Sequence, residues 1–165
     1  MNPLKRILIV DDSPRDTELM LDALAQHHLA NEVITLRDGA EALDYLYRRG
    51  QFAGRTGDQP AVVLLDLKMP RVNGLEVLRQ MKGDPQLKII PVVVMTSSRE
   101  DQDLVNSYQL GVNAYVVKPL HFHEFADAVS QVGAFWAVCN ESPPGTERRT
   151  DGGAGAGAQP AKGAI

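Results

Sequence analysis

Five polar residues stand at the ends of short apolar runs in this 165-residue chain, where side-chain chemistry can be concentrated. Asp11 and Asp12 follow Ile7 to Val10, Asp66 follows Val62 to Leu65, Thr96 follows Val92 to Met95, and Lys118 follows Ala114 to Val117. Carboxylates brought close together repel one another: at ~4 Å and an effective dielectric of ~20, each pair costs roughly 4 kcal/mol. A divalent cation compensates that repulsion, and carboxylate, carbonyl and water oxygens match Mg²⁺, which keeps several of its waters. Lys118 adds a further positive charge. In such surroundings a carboxylate can attack a phosphoryl group in line and form an acyl phosphate, while cation and lysine neutralise the equatorial oxygens. Asp66 is placed for that role, and the Thr96 hydroxyl is placed to donate to a phosphoryl oxygen of the product. The plainer reading has Asp11 and Asp12 cap a helix and Lys118 pair with an acid. It leaves unexplained why all of these residues stand at run ends.

The runs that carry them are rich in β-branched residues and continuous rather than alternating, as in strands of a parallel sheet covered on both faces. Val33 to Leu36 makes a less distinct fifth run. Helical spacing fills the intervals, and three intervals open on a cap: Ser13 with Asp16, Asp38 with Glu41, and Asn73 with Glu76. Strands alternating with helices imply right-handed βαβ crossovers. The predicted fold is therefore α/β, a three-layer, doubly wound, five-stranded parallel sheet in which ligands bind outside the carboxyl ends of the strands. All five polar residues converge there.

The last helix, from about Phe122, places Phe122, Phe125, Val129, Val132 and Trp136 on one stripe. Its extension to about Asn140 carries Phe135 and Trp136 beyond what a small sheet must cover, which leaves apolar surface for a partner chain. Gly50 to Pro60 reads as a long irregular loop. Residues 141–165 are dominated by Gly, Ala and Pro and read as a disordered tail, so that residues 1–140 make one domain.

With 44% hydrophobic residues, 23% charged residues and a formal charge of −4, the composition is that of a globular protein without the basic surface a nucleic acid requires. No segment reaches the roughly 20 apolar residues of a membrane span, and the amino terminus carries no secretory stretch, so the expected location is the cytoplasm. Cys139 is the only cysteine, which excludes an internal disulfide. The spacings of His27 with His28 and of His121 with His123 put neither pair of rings on one helical face, so no histidine metal site is expected.

The segments ILIVDDSP, VVLLDLKMPRVNG, VVVMTSS and AYVVKPL, in this order and at these distances, resemble the signature positions of bacterial response-regulator receiver domains. The resemblance covers roughly residues 4–140. It implies a flavodoxin-like strand order 2-1-3-4-5 and a non-enzymatic switch phosphorylated on Asp66 by a sensor histidine kinase. It further implies Mg²⁺ held by Asp12, Asp66 and the backbone carbonyl of Lys68, with Asp11 acting mainly through water. Lys118 resembles the phosphate-binding lysine, joined to Pro119 by a cis peptide bond in this family. Thr96 and Tyr115 resemble the coupled switch pair, in which Thr96 turns toward the phosphoryl group and the Tyr115 ring moves inward. Lys68 and Ser98 flank the site, where they can tune hydrolysis of the acyl phosphate.

Lys68, the long loop before the third strand, His121 where a helix cap is usual, and the end FWAVCNESPP resemble the small stand-alone regulators associated with bacterial phytochrome kinases. That likeness implies a homodimer through the face of the fourth helix, fifth strand and fifth helix. Output is then by docking or by passing the phosphoryl group to a histidine phosphotransfer protein. Two rival readings fit less well. An aspartyl-nucleophile phosphohydrolase usually has an acid where Lys68 stands, and a flavodoxin-type phosphate loop would not begin with Asp11 and Asp12. A receiver used only as a docking platform would not need the full set of Asp11, Asp12, Asp66, Thr96 and Lys118.

Overall fold

The computed structural model describes residues 6–26, 32–118 and 121–141. His27, His28, Pro119, residues 142–165 and the Phe122 side chain lie outside the described residues, and the expectations attached to them, including the cis peptide bond, go with them. In chain order the elements are β1 (Ile7–Val10), α1 (Pro14–Gln26), β2 (Val33–Leu36), α2 (Gly39–Tyr47), a 3₁₀ turn (Gly50–Phe52) and β3 (Val62–Leu65). They continue with α3 (Gly74–Gly83), β4 (Val92–Thr96), α4 (Asp101–Leu110), β5 (Ala114–Val117), α5 (Phe122–Ala134) and a π-helical turn (Phe135–Cys139).

All five strands pair in parallel in the order β2-β1-β3-β4-β5, as the sequence leads one to expect. Alternate residues of a strand face opposite sides of a sheet, so each continuous apolar run supplies both layers. Leu8, Val10, Val63, Leu65, Val92 and Val94 pack with Leu43, Leu46, Val77, Leu78 and Met81 of α2 and α3. Ile7, Ile9, Val62, Leu64, Val93 and Met95 pack with Met20 and Leu24 of α1 and Phe125 and Val129 of α5. Full burial of such a side chain stabilises by about 1.5–3 kcal/mol, which makes these two layers the main source of cohesion.

The expected caps form. Asp38 accepts from the Glu41 N–H at 2.8 Å, Asn73 from the Glu76 N–H at 3.0 Å, and Ser13 Oγ from the Asp16 N–H at 3.2 Å. His121 starts α5 without a side-chain cap, and burial of Phe125 and Val129 holds that helix instead. The loop before β3 is more ordered than its composition suggests: Arg48 and Arg55 donate to the carbonyls of Arg55, Gly57, Tyr45 and Asp58.

In the turn after α5, Phe135 is 51% exposed while Trp136 is half-buried against the α1 and α5 layer. The expected exposed aromatic pair is thus divided between surface and core. Among the described residues no helix is long and apolar enough to cross a membrane.

Candidate functional site

Register brings the acids together. Val10 pairs with Leu65, the Asp11 N–H donates to Leu36 O at 3.0 Å, and the Asp66 N–H donates to Val10 O at 2.9 Å. Each ladder therefore runs one residue past its strand, which leaves Asp11 and Asp66 side by side at the carboxyl edge. Asp12 follows at the surface, whereas Asp11 and Asp66 are buried. Asp11, Asp12 and Asp66 each offer a carboxylate oxygen, and these oxygens lie within 4.8 Å of one another.

Lys118 reaches into this cluster from the end of β5, where its own N–H donates to Thr96 O at 2.8 Å. Its Nζ meets Asp11 Oδ2 at 2.6 Å, Asp16 Oδ2 at 2.9 Å and Asp66 Oδ2 at 3.1 Å. Asp16 is a site residue that the sequence reading left at a helix cap. The capping bond uses its backbone N–H, which frees its carboxylate to turn toward Lys118. A fourth acid one turn beyond Asp12, at the start of the same helix, was the available signal.

Three carboxylates thus share one ammonium group, with the Asp12 carboxylate beside them. Burial pushes the Asp11 carboxyl up to about 6, against the opposing pull of Lys118 and of the Ser13 N–H that donates to it. Burial alone would lower the Lys118 ammonium, but its bonds to Asp11 and Asp16 and the charge of Asp66 raise it above its ordinary value. The cluster keeps an excess of negative charge, and an all-oxygen donor set of this kind fits a hard divalent cation.

The loop from Leu67 to Asn73 is fixed on both sides. A Cβ on Gly74 would collide with the carbonyl oxygen of Asp66, so only glycine lets α3 start this close to the end of β3. Arg71 takes a left-handed φ of 62° and forks onto Asp38 at 2.8–3.1 Å, joining the loop to the start of α2. The Lys68 N–H contacts Asp66 Oδ1 at 3.3 Å, which lays the Lys68 peptide against the carboxylate.

Thr96 is fully buried, and its Oγ1 accepts from the Ser98 N–H at 3.3 Å. The Tyr115 hydroxyl donates to Ser98 O at 3.1 Å, so that both members of the expected switch pair hold the same loop residue. Burial raises the Tyr115 phenol above its ordinary value, which keeps it a donor. Ser98 Oγ in turn donates to Asp103 Oδ2 at 2.6 Å, and Lys68 Nζ lies 3.4 Å from that same oxygen. Asp103, buried on α4, is a second residue that the sequence reading missed. Phe135 and Trp136, beyond α5, are not part of this cluster.

Comparison with known proteins adds to this geometry. The model of the response regulator receiver domain matches residues 7–130. The response regulator Rcp1 of Synechocystis sp. is 38% identical over 135 residues, covering 82% of this chain and 90% of Rcp1. Its Mn²⁺-bound crystal structure superposes with a TM-score of 0.79 at 37% identity, over 84% of this chain and 99% of Rcp1. The phosphorylated cyanobacterial phytochrome response regulator RcpA gives a TM-score of 0.80 at 38% identity, over 86% of this chain and 99% of RcpA. The bacteriophytochrome response regulator RtBRR is 59% identical with a TM-score of 0.69, over 87% of each chain.

Proposed function

This chain belongs to the response regulator receiver family, and from that membership we propose that it is a single-domain regulator phosphorylated on Asp66 by a sensor histidine kinase of bacteriophytochrome type. The observation that carries the reading is the Asp66 carboxylate, set in an acid cluster, 3.1 Å from Lys118 Nζ and against the Lys68 N–H. In the transfer an Asp66 oxygen forms a bond to phosphorus as the bond from phosphorus to the kinase imidazole nitrogen breaks, and the departing imidazole takes up a proton. Lys118 shifts from its aspartate partners to the incoming phosphoryl oxygens. The Thr96 hydroxyl donates to one of these oxygens and so draws on the loop that Tyr115 also holds.

The residues that would hold Mg²⁺ are Asp12, Asp66 and the backbone carbonyl of Lys68, with Asp11 behind them. Once bound, the ion supplies charge compensation for the carboxylates and for the equatorial phosphoryl oxygens. A kinase that draws on ATP places the reaction in the cytoplasm. The exposed side chains of Leu104, Val105 and Tyr108 on α4, and of Phe135 and Val138 beyond α5, support a homodimer through the α4-β5-α5 face. Phe135 and Trp136, just beyond α5, form an edge-to-face pair at 5.0 Å. A histidine phosphotransfer protein would meet the site at the same carboxyl edge of the sheet, where Asp12 is exposed.

Mass spectrometry of the wild type and of Asp66→Asn, after incubation with kinase, ATP and Mg²⁺, tests the reading. Addition of one phosphoryl group to the wild type alone is the expected result; equal labelling of both chains refutes it. Light scattering tests the dimer, since an unchanged mass in Phe135→Ala and Trp136→Ala removes both residues from the interface.

A further inference from the structure

Helix α4 has its polarity reversed. Leu104, Val105 and Tyr108 are 39%, 48% and 54% exposed, whereas Asp103 and Ser107, one turn apart on the opposite face, are buried. Ser107 Oγ has no hydrogen-bond partner, so it does not anchor the helix. The Asp103 carboxylate does: it accepts from Ser98 Oγ at 2.6 Å and lies 3.4 Å from Lys68 Nζ. A buried carboxylate deprived of its cation is strongly unfavourable. The seat of α4 therefore depends on a lysine only two residues from Asp66.

We infer that Asp103 is a positioning residue, the fixed half of a charge-competition latch in which a phosphoryl group on Asp66 draws the Lys68 ammonium away and releases α4. The inference rests on the proposed phosphorylation of Asp66. Lys68 is suited to the moving half: its side chain is 59% exposed while its N–H already touches the Asp66 carboxylate at 3.3 Å. A cleft of about 300 Å³ opens beside the pair, lined by Leu67, Lys68, Met69, Asn73, Leu75 and Asp103, and leaves the lysine stem room to turn. Phosphorylation exchanges the single charge of the Asp66 carboxylate for a phosphoryl charge of about −1.5 to −2, which exceeds the single charge of Asp103 in the contest for one ammonium. Asp103 then retains only the Ser98 hydroxyl, and α4 gains by moving to where its carboxylate meets water. This path to α4 runs through Lys68 and is separate from the Thr96 and Tyr115 contacts, although both paths meet at Ser98.

The test is a double-mutant cycle in the full chain, read by fluorine NMR titration with beryllofluoride and Mg²⁺. Asp103→Asn keeps the acceptor for Ser98 and removes the charge that holds Lys68, so beryllofluoride binds about two- to fivefold more tightly, the range of a partly exposed ion pair. In a Lys68→Met background the same substitution leaves affinity unchanged. Hydrogen exchange over residues 101–110 rises in the wild type after beryllofluoride is added and stays unchanged in Asp103→Asn, which has no buried charge to release. Should Asp103→Asn fold poorly, unliganded Lys68→Met opens the pair from its exposed side and shows the same rise.

Equal affinity for wild type and Asp103→Asn, or an equal gain with and without Lys68, overturns the latch while wild-type binding upholds the phosphoacceptor. A wild type that binds no beryllofluoride refutes the phosphoacceptor reading itself, and the latch with it.

Discussion

At the carboxyl ends of the strands Asp11, Asp16 and Asp66 gather around Lys118 with Asp12 beside them, and at the amino ends Arg6, Arg48 and Arg55 gather around Tyr45 and the loop before β3. Both ends carry an excess of one sign, but they settle it differently. Arg55 donates to the carbonyls of Tyr45 and Asp58 and to Gln59, and its guanidinium lies 4.0 Å from the centre of the Tyr45 ring. Arg48 donates to the carbonyls of Arg55 and Gly57, while Arg6 pairs with Glu32 at 3.0 Å. Burial draws the Arg55 guanidinium below its ordinary value, and the charges of Arg48 and Arg6 add to that, yet every donor named has a fixed acceptor. At the acid end one fixed cation meets three carboxylates, and Asp12 beside them is exposed. Positive charge is settled within the fold, whereas negative charge stays in excess over the one ammonium that meets it.

The largest break in this comparison comes from Asp66→Asn, which abolishes phosphoryl acceptance from any donor while leaving the fold intact, because it removes one acid from a crowded cluster. Phosphorylation assayed beside urea denaturation separates the two effects. A large loss of stability would show that the acid end also holds the fold together. At the other end, Arg55→Met removes one donor each from the Tyr45 and Asp58 carbonyls and the cation from the Tyr45 ring, and costs about 1–2 kcal/mol of stability, with beryllofluoride affinity unchanged. A changed affinity would mean that the two ends communicate.

Asp12→Asn sharpens the contrast from the opposite direction. In chelator it relieves carboxylate repulsion and raises stability by about 0.5–1 kcal/mol, while Mg²⁺ affinity falls at least about tenfold. A loss of metal-free stability would contradict the account of the cluster as frustrated until it is filled.

The same contrast governs what could be read from the chain itself. β1, β3 and β4 were legible because burial on both faces leaves an uninterrupted apolar run, and the polar residues that end those runs marked the site. β5 carries the same kind of run but is half-buried at the sheet edge, a difference that composition does not encode. Asp16 and Asp103 were not legible as site residues, since the partner of Asp16 lies 102 residues away and that of Asp103 is reached only when α4 docks beside the Lys68 loop. The loop before β3 read as irregular because its order comes from arginine bonds to backbone carbonyls, which leave no hydrophobic period. Beyond α5, the sequence reading left both Phe135 and Trp136 as exposed apolar surface, whereas Trp136 turns against the core. The π-helical turn that separates it from exposed Phe135 has no spacing signature of its own.

Asp38 supplies the smallest test and the internal control, for it is an acid at the carboxyl edge whose charge is settled in the way the arginines are. It accepts from the Glu41 N–H at 2.8 Å and from the Arg71 fork at 2.8–3.1 Å. Burial would raise its carboxyl, but the Arg71 bonds and the Glu41 N–H hold it below its ordinary value. A carboxyl lowered in the folded state contributes stability above its unfolded value of about 3.9, and that contribution is lost as pH falls through the folded value. Asp38→Asn, which keeps a side-chain acceptor for the helix start, therefore costs about 1 kcal/mol at pH 7. In urea denaturation series the cost shrinks steadily below about pH 4 as the wild-type carboxyl takes up its proton. A cost that stays constant down to pH 3 would assign the effect to the shape of the cap rather than to its charge, and Asp38 would no longer stand apart from the open acids beside it.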